Sequence, residues 1–134
     1  MKKLILCSMM LLFCLTQVEA AEDEAEASTT SAYISLGDPM VLNLSGPKRM
    51  TFLQLSADVL VSDSDAEATI QMHVPAIRHS LIMLLSEQKA VDIKSPARRE
   101  EIRQQATSQV QALIADLSGS QDVSEILFSS ILVQ

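Results

Sequence analysis

The chain has 134 residues, a single-domain length. Its net charge of −7 speaks against partners held by bulk charge on phosphates or anionic lipid. Aromatic residues make up 3% of it, too few for base stacking, so nucleic acid is an improbable partner and any core must be aliphatic.

The first 20 residues have a layout of their own. "MKK" is a short basic start, residues 4–15 form an apolar run broken by one serine, and "TQVEA" places Val18 and Ala20 as small residues before a cleavage point. This is the three-part plan of a secretory signal peptide. As a helix the run would span roughly 18 Å at ~1.5 Å per residue, against a hydrocarbon core of about 30 Å. Residues 1–20 therefore read as a cleaved leader, with a retained short anchor as the alternative. Cys7 and Cys14 lie within the run, in no lipid-attachment pattern. Cleavage would leave a chain without cysteine, which can form neither a disulfide nor a thiolate metal site. Residues 21–32 follow as an acidic tether. "EDEAEAS" has no β-branched or aromatic side chain to bury and reads as solvated and disordered.

In "YISLGDPMVLNLSG", Tyr33, Ile34 and Leu36 make a short apolar start. Gly37, Asp38 and Pro39 make a turn. Met40, Leu42 and Leu44 then alternate with Val41, Asn43 and Ser45 as a half-buried strand. Residues 45–48 turn again. "MTFLQLSADVLVSD" carries the longest alternation in the chain. Leu53, Leu55, Ala57, Val59 and Val61 fall on a core face. Phe52, Gln54, Ser56, Asp58, Leu60 and Ser62 fall on a wetter one.

From residue 62 the period changes. Ile70, Val74, Ile77, Leu81 and Leu84 recur at helical spacing, with Ser64 or Asp65 as candidate N-cap. Pro75 predicts a kink or a fresh helix start. "LIMLL" (residues 81–85) is apolar on nearly all sides and is expected to be deeply packed or to touch a partner. "AVDIK" reads as a connector. A second helix is announced by Ser95 as N-cap and Pro96 at its first position, and closed by Gly119. Its apolar stripe is Ile102, Ala106, Val110, Leu113 and Leu117. Arg98, Arg99 and Arg103 oppose Glu100 and Glu101 on its solvated back.

The chain ends on "VSEILFSSILVQ". Strict alternation places Ile126, Phe128 and Leu132 on one face and Leu127, Ile131 and Val133 on the other. A strand apolar on both faces is expected at the centre of a sheet. Gln134 then reads as a genuine terminus, and trimming residues 132–134 is expected to unfold the domain. The whole reads as an α+β fold: a small sheet with two helices packed on one face, in β-β-α-α-β order.

Catalytic and metal-binding patterns are not found. His73 and His79 are six apart and share no helical face for a common ligand. The glycines at 37, 46 and 119 are too scattered to cradle phosphate. Asp63 and Asp65 lack the glycine and distal glutamate of a calcium loop. Asp58 and Glu67 form no recognisable acid–base pair, and no serine sits in a nucleophile elbow. Met40, Met50, Met72 and Met83 read as gap fillers at core or near-core positions. No catalytic, cofactor or metal residue is assigned, and no partner-binding residue is named.

Three stretches carry a family resemblance: "DPMVLNL" (residues 38–44), "HVPAIRHSLIMLLSEQ" (73–88) and "DVSEILFSSILVQ" (122–134). In order and spacing they resemble the flagellar basal body-associated protein FliL family. The resemblance covers residues 33–134. It implies a periplasmic, stomatin-like domain at the inner membrane, without enzymatic activity or cofactor. It further implies association with the motor stator, support of rotation, swimming or swarming, and self-assembly into a ring. The front of the chain departs from the family, where a full transmembrane helix is usual. A periplasmic adaptor or binding module of the same fold, unrelated to motility, is the alternative.

Overall fold

The computed structural model describes residues 31–46, 50–63 and 66–134. The leader or anchor at residues 1–20, the tether up to residue 30 and the cap at Ser64 or Asp65 lie outside the described residues. Among the described residues seven elements follow in order: β1 (Ala32–Ser35), β2 (Met40–Leu44), β3 (Thr51–Val61), α1 (Glu67–Ser86), α2 (Ala90–Lys94), α3 (Pro96–Ser118) and β4 (Val123–Val133). This is the expected α+β plan, with the short apolar start resolved as its own strand.

The sheet is antiparallel and β3 is its centre. β1 and β2 share one edge of β3 end to end, against residues 58–61 and 51–55 respectively. Between them the chain turns through Gly37, whose φ of 84° is a left-handed conformation that a Cβ would strain. The alternation read along β3 holds: Leu53, Leu55, Ala57, Val59 and Val61 are all buried.

β4 pairs β3 along nearly its whole length, from Leu53↔Val133 to Val61↔Val123. Among the described residues it pairs nothing else, so it is an edge strand and not the expected central one. Its faces also differ from strict alternation. A register shift between Ser56 and Ala57 inserts one extra residue of β4, Ser129, opposite the pair. A bulge of this kind reverses the parity of everything beyond it. Ile126, Phe128, Ile131 and Val133 therefore share the face of the β3 core residues, while Leu127 and Leu132 lie on the other. A sequence apolar at both parities was being kept on one face by a bulge. The last three residues contribute rungs of one ladder only, including the Phe52–Gln134 pair. Trimming them removes less than a central placement would imply.

The helices cover one face of the sheet. α1 buries Ile70, Ile77, Leu81 and Leu85, so Leu85 takes the place expected of Leu84, which is half-buried. The helix runs unbroken through Pro75. Pro75 is exposed, and so is Gln71, whose carbonyl loses its partner on the side where water can replace it. "AVDIK" is not a bare connector: it forms α2, a single short turn of helix that buries Ile93. α3 begins at Ser95 and Pro96 as expected, although the Ser95 hydroxyl makes no capping bond. Gly119 closes it at φ 74°, its N–H donating to the Ala115 carbonyl.

α3 buries Ile102, Ala106, Val110 and Ile114, while Leu113 is half-buried and Leu117 is 49% exposed. The buried line follows steps of four residues, each advancing about 40° round a 3.6-residue helix. Contact thus drifts across the helix and leaves Leu117 outside. The methionines also divide against expectation. Met40 is buried, but Met50, just before β3, is exposed, and so are Met72 and Met83, which lie off the stripe of α1 that meets the sheet.

A candidate interaction surface

Among the described residues no polar or charged side chain is buried, and the core is aliphatic throughout. His73 and His79 stand on α1, half-buried and exposed respectively, and no three His, Cys, Asp or Glu side chains gather where they could hold a metal among the described residues. The chemistry on offer lies at the surface.

The sheet face away from the helices is left uncovered by the described residues. Its side chains follow from the register. Tyr33, Leu60 and Glu125 form one row, Ser35, Asp58 and Leu127 the next, and Val41, Gln54 and Leu132 a third. Phe52 stands beside the last row. Tyr33 is 69% exposed, Val41 65%, Leu132 46% and Phe52 45%. The alternation that fills the core therefore sets apolar side chains among polar ones on the outer face. "LIMLL" is packed at Leu81 and Leu85, half-buried at Ile82 and Leu84, and open at Met83.

Two arginines, neither assigned a role from the sequence, tie the layers together. Arg78 of α1 donates through Nη1 to the carbonyl oxygens of Leu36, at 2.7 Å, and Asp38, at 2.6 Å. It pins the turn between β1 and β2 to the helix. Ser45 adds a second tie, its hydroxyl donating to the Ser86 carbonyl at the end of α1. Arg103 of α3 grips Glu100 through Nε and Nη2 at 2.8 and 2.6 Å. It also pairs with Glu125 of β4 and donates to the Ile126 carbonyl at 3.0 Å. One guanidinium thus joins helix to strand with forked geometry. The only signal for Arg78 in the sequence was its place within the stretch at residues 73–88 that carries the resemblance. Arg103 looked like ordinary solvated surface.

The family described as flagellar basal body-associated protein FliL matches residues 33–134. That span takes in the described sheet from its second residue onward and the three described helices. The chain belongs to the FliL family. A curated relative, the flagellar protein FliL of Aquifex aeolicus (strain VF5), is 20% identical over 99 residues. The match covers 74% of this chain and 59% of that protein, so this FliL-family chain corresponds to less than two thirds of its relative. Within the family fold, Arg78 falls in the helix motif and Ile126 in the closing-strand motif. The layer contacts therefore sit inside the stretches that carry the resemblance.

The clamp has a pH signature. Hydrogen bonds from Arg103, and then from Gln104, hold the Glu100 carboxyl down from the ordinary 4.5 to about 2. Bonding to Glu100 in turn raises Arg103. A carboxyl lowered on folding stabilises the fold above its unfolded pKa, and that contribution fades as pH falls toward the folded value. Glu100→Gln is therefore expected to melt below the parent at neutral pH. The gap should narrow below pH 4.5 and close near pH 2. Denaturant midpoints of both proteins across that range check it, and a gap that persists unchanged at pH 2 would show that the ionised carboxylate is not its source.

Proposed function

We propose that this protein is a non-enzymatic accessory of the flagellar basal body that associates with the motor stator and supports rotation, swimming or swarming. The observation that carries this reading is the family match across residues 33–134, nearly the whole span of the described sheet and helices. The domain offers contact area, a flat half-apolar sheet face and a polar α3 flank, which suits scaffolding. Self-association into a ring belongs to the same proposal.

The proposed location is the periplasmic face of the inner membrane, reached by a signal peptide or held by a short anchor at residues 1–20. Among the described residues no helix is long and apolar enough to cross a membrane. Any anchoring must therefore come from elsewhere. A clean deletion in the native host is expected to reduce swarming and torque under load, with restoration by the full gene. Normal swimming, swarming and load response in the deletion strain would overturn the proposal and leave an adaptor unrelated to motility. Fractionation with N-terminal sequencing decides the leader: a mature start at Ala21 in the soluble periplasm means cleavage, and a start at Met1 in membranes means an anchor.

A further inference from the structure

The two edges of the sheet are treated differently. The β1–β2 edge is made of short strands, interrupted by Gly37, Asp38 and Pro39. Arg78 occupies the carbonyls of Leu36 and Asp38, and the Ser45 N–H donates to the Gln88 carbonyl. Short length, proline and covering contacts are the usual protections of an edge against further pairing.

The β4 edge is protected over only half its length. Toward its start, α3 side chains serve the outward main-chain groups. The Ile126 N–H donates to Thr107 Oγ1 at 3.0 Å, and the Ile126 carbonyl accepts from Arg103. The Val123 carbonyl accepts from Gln111 Nε2 at 3.0 Å. Beyond that point the protection stops. Gln134 exchanges both main-chain bonds with Phe52. By antiparallel alternation Leu132 and Ser130 also face β3, which turns the N–H and C=O of Ile131 and Val133 outward. Residues 127–133 read "LFSSILV", with no charge and no proline. An open groove of about 420 Å³ runs beside them, lined by Pro96, Arg99, Glu100 and Arg103 of α3 and by residues 127–131; the Glu100 carboxylate in it is already held by Arg103. Arg98 and Arg103 are ion-paired, whereas Arg99 pairs with no carboxylate among the described residues.

We infer that the open half of β4 and the groove beneath α3 form a docking site for an extended segment of another polypeptide, one with alternating apolar residues and a carboxylate that meets Arg99. Such a segment adds as a new strand, its main chain completing the bonds of Ile131 and Val133. Charge complementarity selects this occupant. A second copy could bring only its own open half of β4, since its other edge is protected. That half, residues 127–133, carries no carboxylate to meet Arg99. The chain's own residues 22–28 carry carboxylates but no β-branched or aromatic side chain to cover Leu127, Phe128 and Ile131. The site goes beyond the flagellar reading and does not depend on which machine supplies the segment.

The test uses the full chain and two short capped peptides of alternating valine and threonine, one with a central glutamate and one with a central lysine. Amide exchange is followed with and without each peptide. The glutamate peptide is expected to slow exchange at Ile131 and Val133 while leaving Ile126 unchanged. It should bind about tenfold better than the lysine peptide, and Arg99→Glu should reverse that preference. The reversal itself shows that the variant is folded. No protection at millimolar peptide, or protection on the β1–β2 edge instead, would overturn the inference. So would protection of Ile131 and Val133 without peptide, assigned to a second copy if it depends on protein concentration or to the N-terminal segment if it is lost on deleting residues 21–30.

Discussion

Leu55→Ala is expected to cost about 3–5 kcal/mol of folding stability. Leu55 is 1% exposed and stands in the central strand, directly between Met40 of β2 and Ile131 of β4. Both flanking residues are held by main-chain ladders, so the strands cannot close around a lost side chain without breaking register. The cavity term is then added to the transfer term. A domain of this size is stable by only about 5–15 kcal/mol, so the variant should lie near the limit of folding at 37 °C. Gln54→Ala, one residue away on the uncovered face, should change stability by less than about 0.5 kcal/mol. Urea unfolding of the three proteins decides it. Equal midpoints for Leu55→Ala and the parent would mean that β3 does not lie where the register puts it.

Arg78→Met is expected to cost about 2–3 kcal/mol, on a different principle. Methionine keeps most of the aliphatic stem but removes both charge-assisted bonds to the Leu36 and Asp38 carbonyls. The Leu36 carbonyl is part-buried, so water replaces the lost donor poorly. The turn at Gly37 would then be free to leave α1, and the damage should be local. Exchange at Leu36, whose N–H bonds the Ala57 carbonyl, should quicken before the rest of β3 responds. Arg98→Met provides the contrast. Its partners Asp92 and Glu101 lie at the surface, where an ion pair is worth between zero and about 1 kcal/mol. If both substitutions cost the same, Arg78 contributes as a surface charge and not as a clamp.

The contrast between these two arginines shows what pattern reading can reach. Apart from its place in the family motif, nothing in the sequence separates Arg78 from Arg98 or Arg103. Each is a cation on an amphipathic helix, and the difference lies in which backbone carbonyl the fold brings within reach. The same holds for Ser129. It sits in a run of polar and apolar residues with no glycine to announce a bulge, yet one inserted residue moves Ile131 and Val133 to the core face and Leu132 out of it. α2 was missed for another reason. At five residues it is too short to be a stable helix alone, and the burial of Ile93 supplies what local propensity does not. For the candidate interface, the outer residues of β3 were legible by alternation. The open and closed halves of β4 were not, because their difference resides in α3 side chains more than ten residues away in sequence.

What the sequence determined by itself is whatever depends on local period and local backbone constraint. The two faces of β3, the helical stripes at Ile70, Ile77 and Leu81, the start of α3 at Ser95 and Pro96, and its end at Gly119 all belong there, as do the motifs that mark the family. Burial enforces a period of two or 3.6 residue by residue, so it leaves a trace in the chain. Tertiary structure alone decided that β3 is the centre, that β4 is an edge, that Pro75 lies within a continuous helix, and that two arginines fasten helices to main-chain carbonyls. Those outcomes depend on partners brought together across intervals such as the 80 residues between Leu53 and Val133. A hydrogen bond to a distant backbone asks nothing of its neighbours in sequence, and so leaves no pattern there to read.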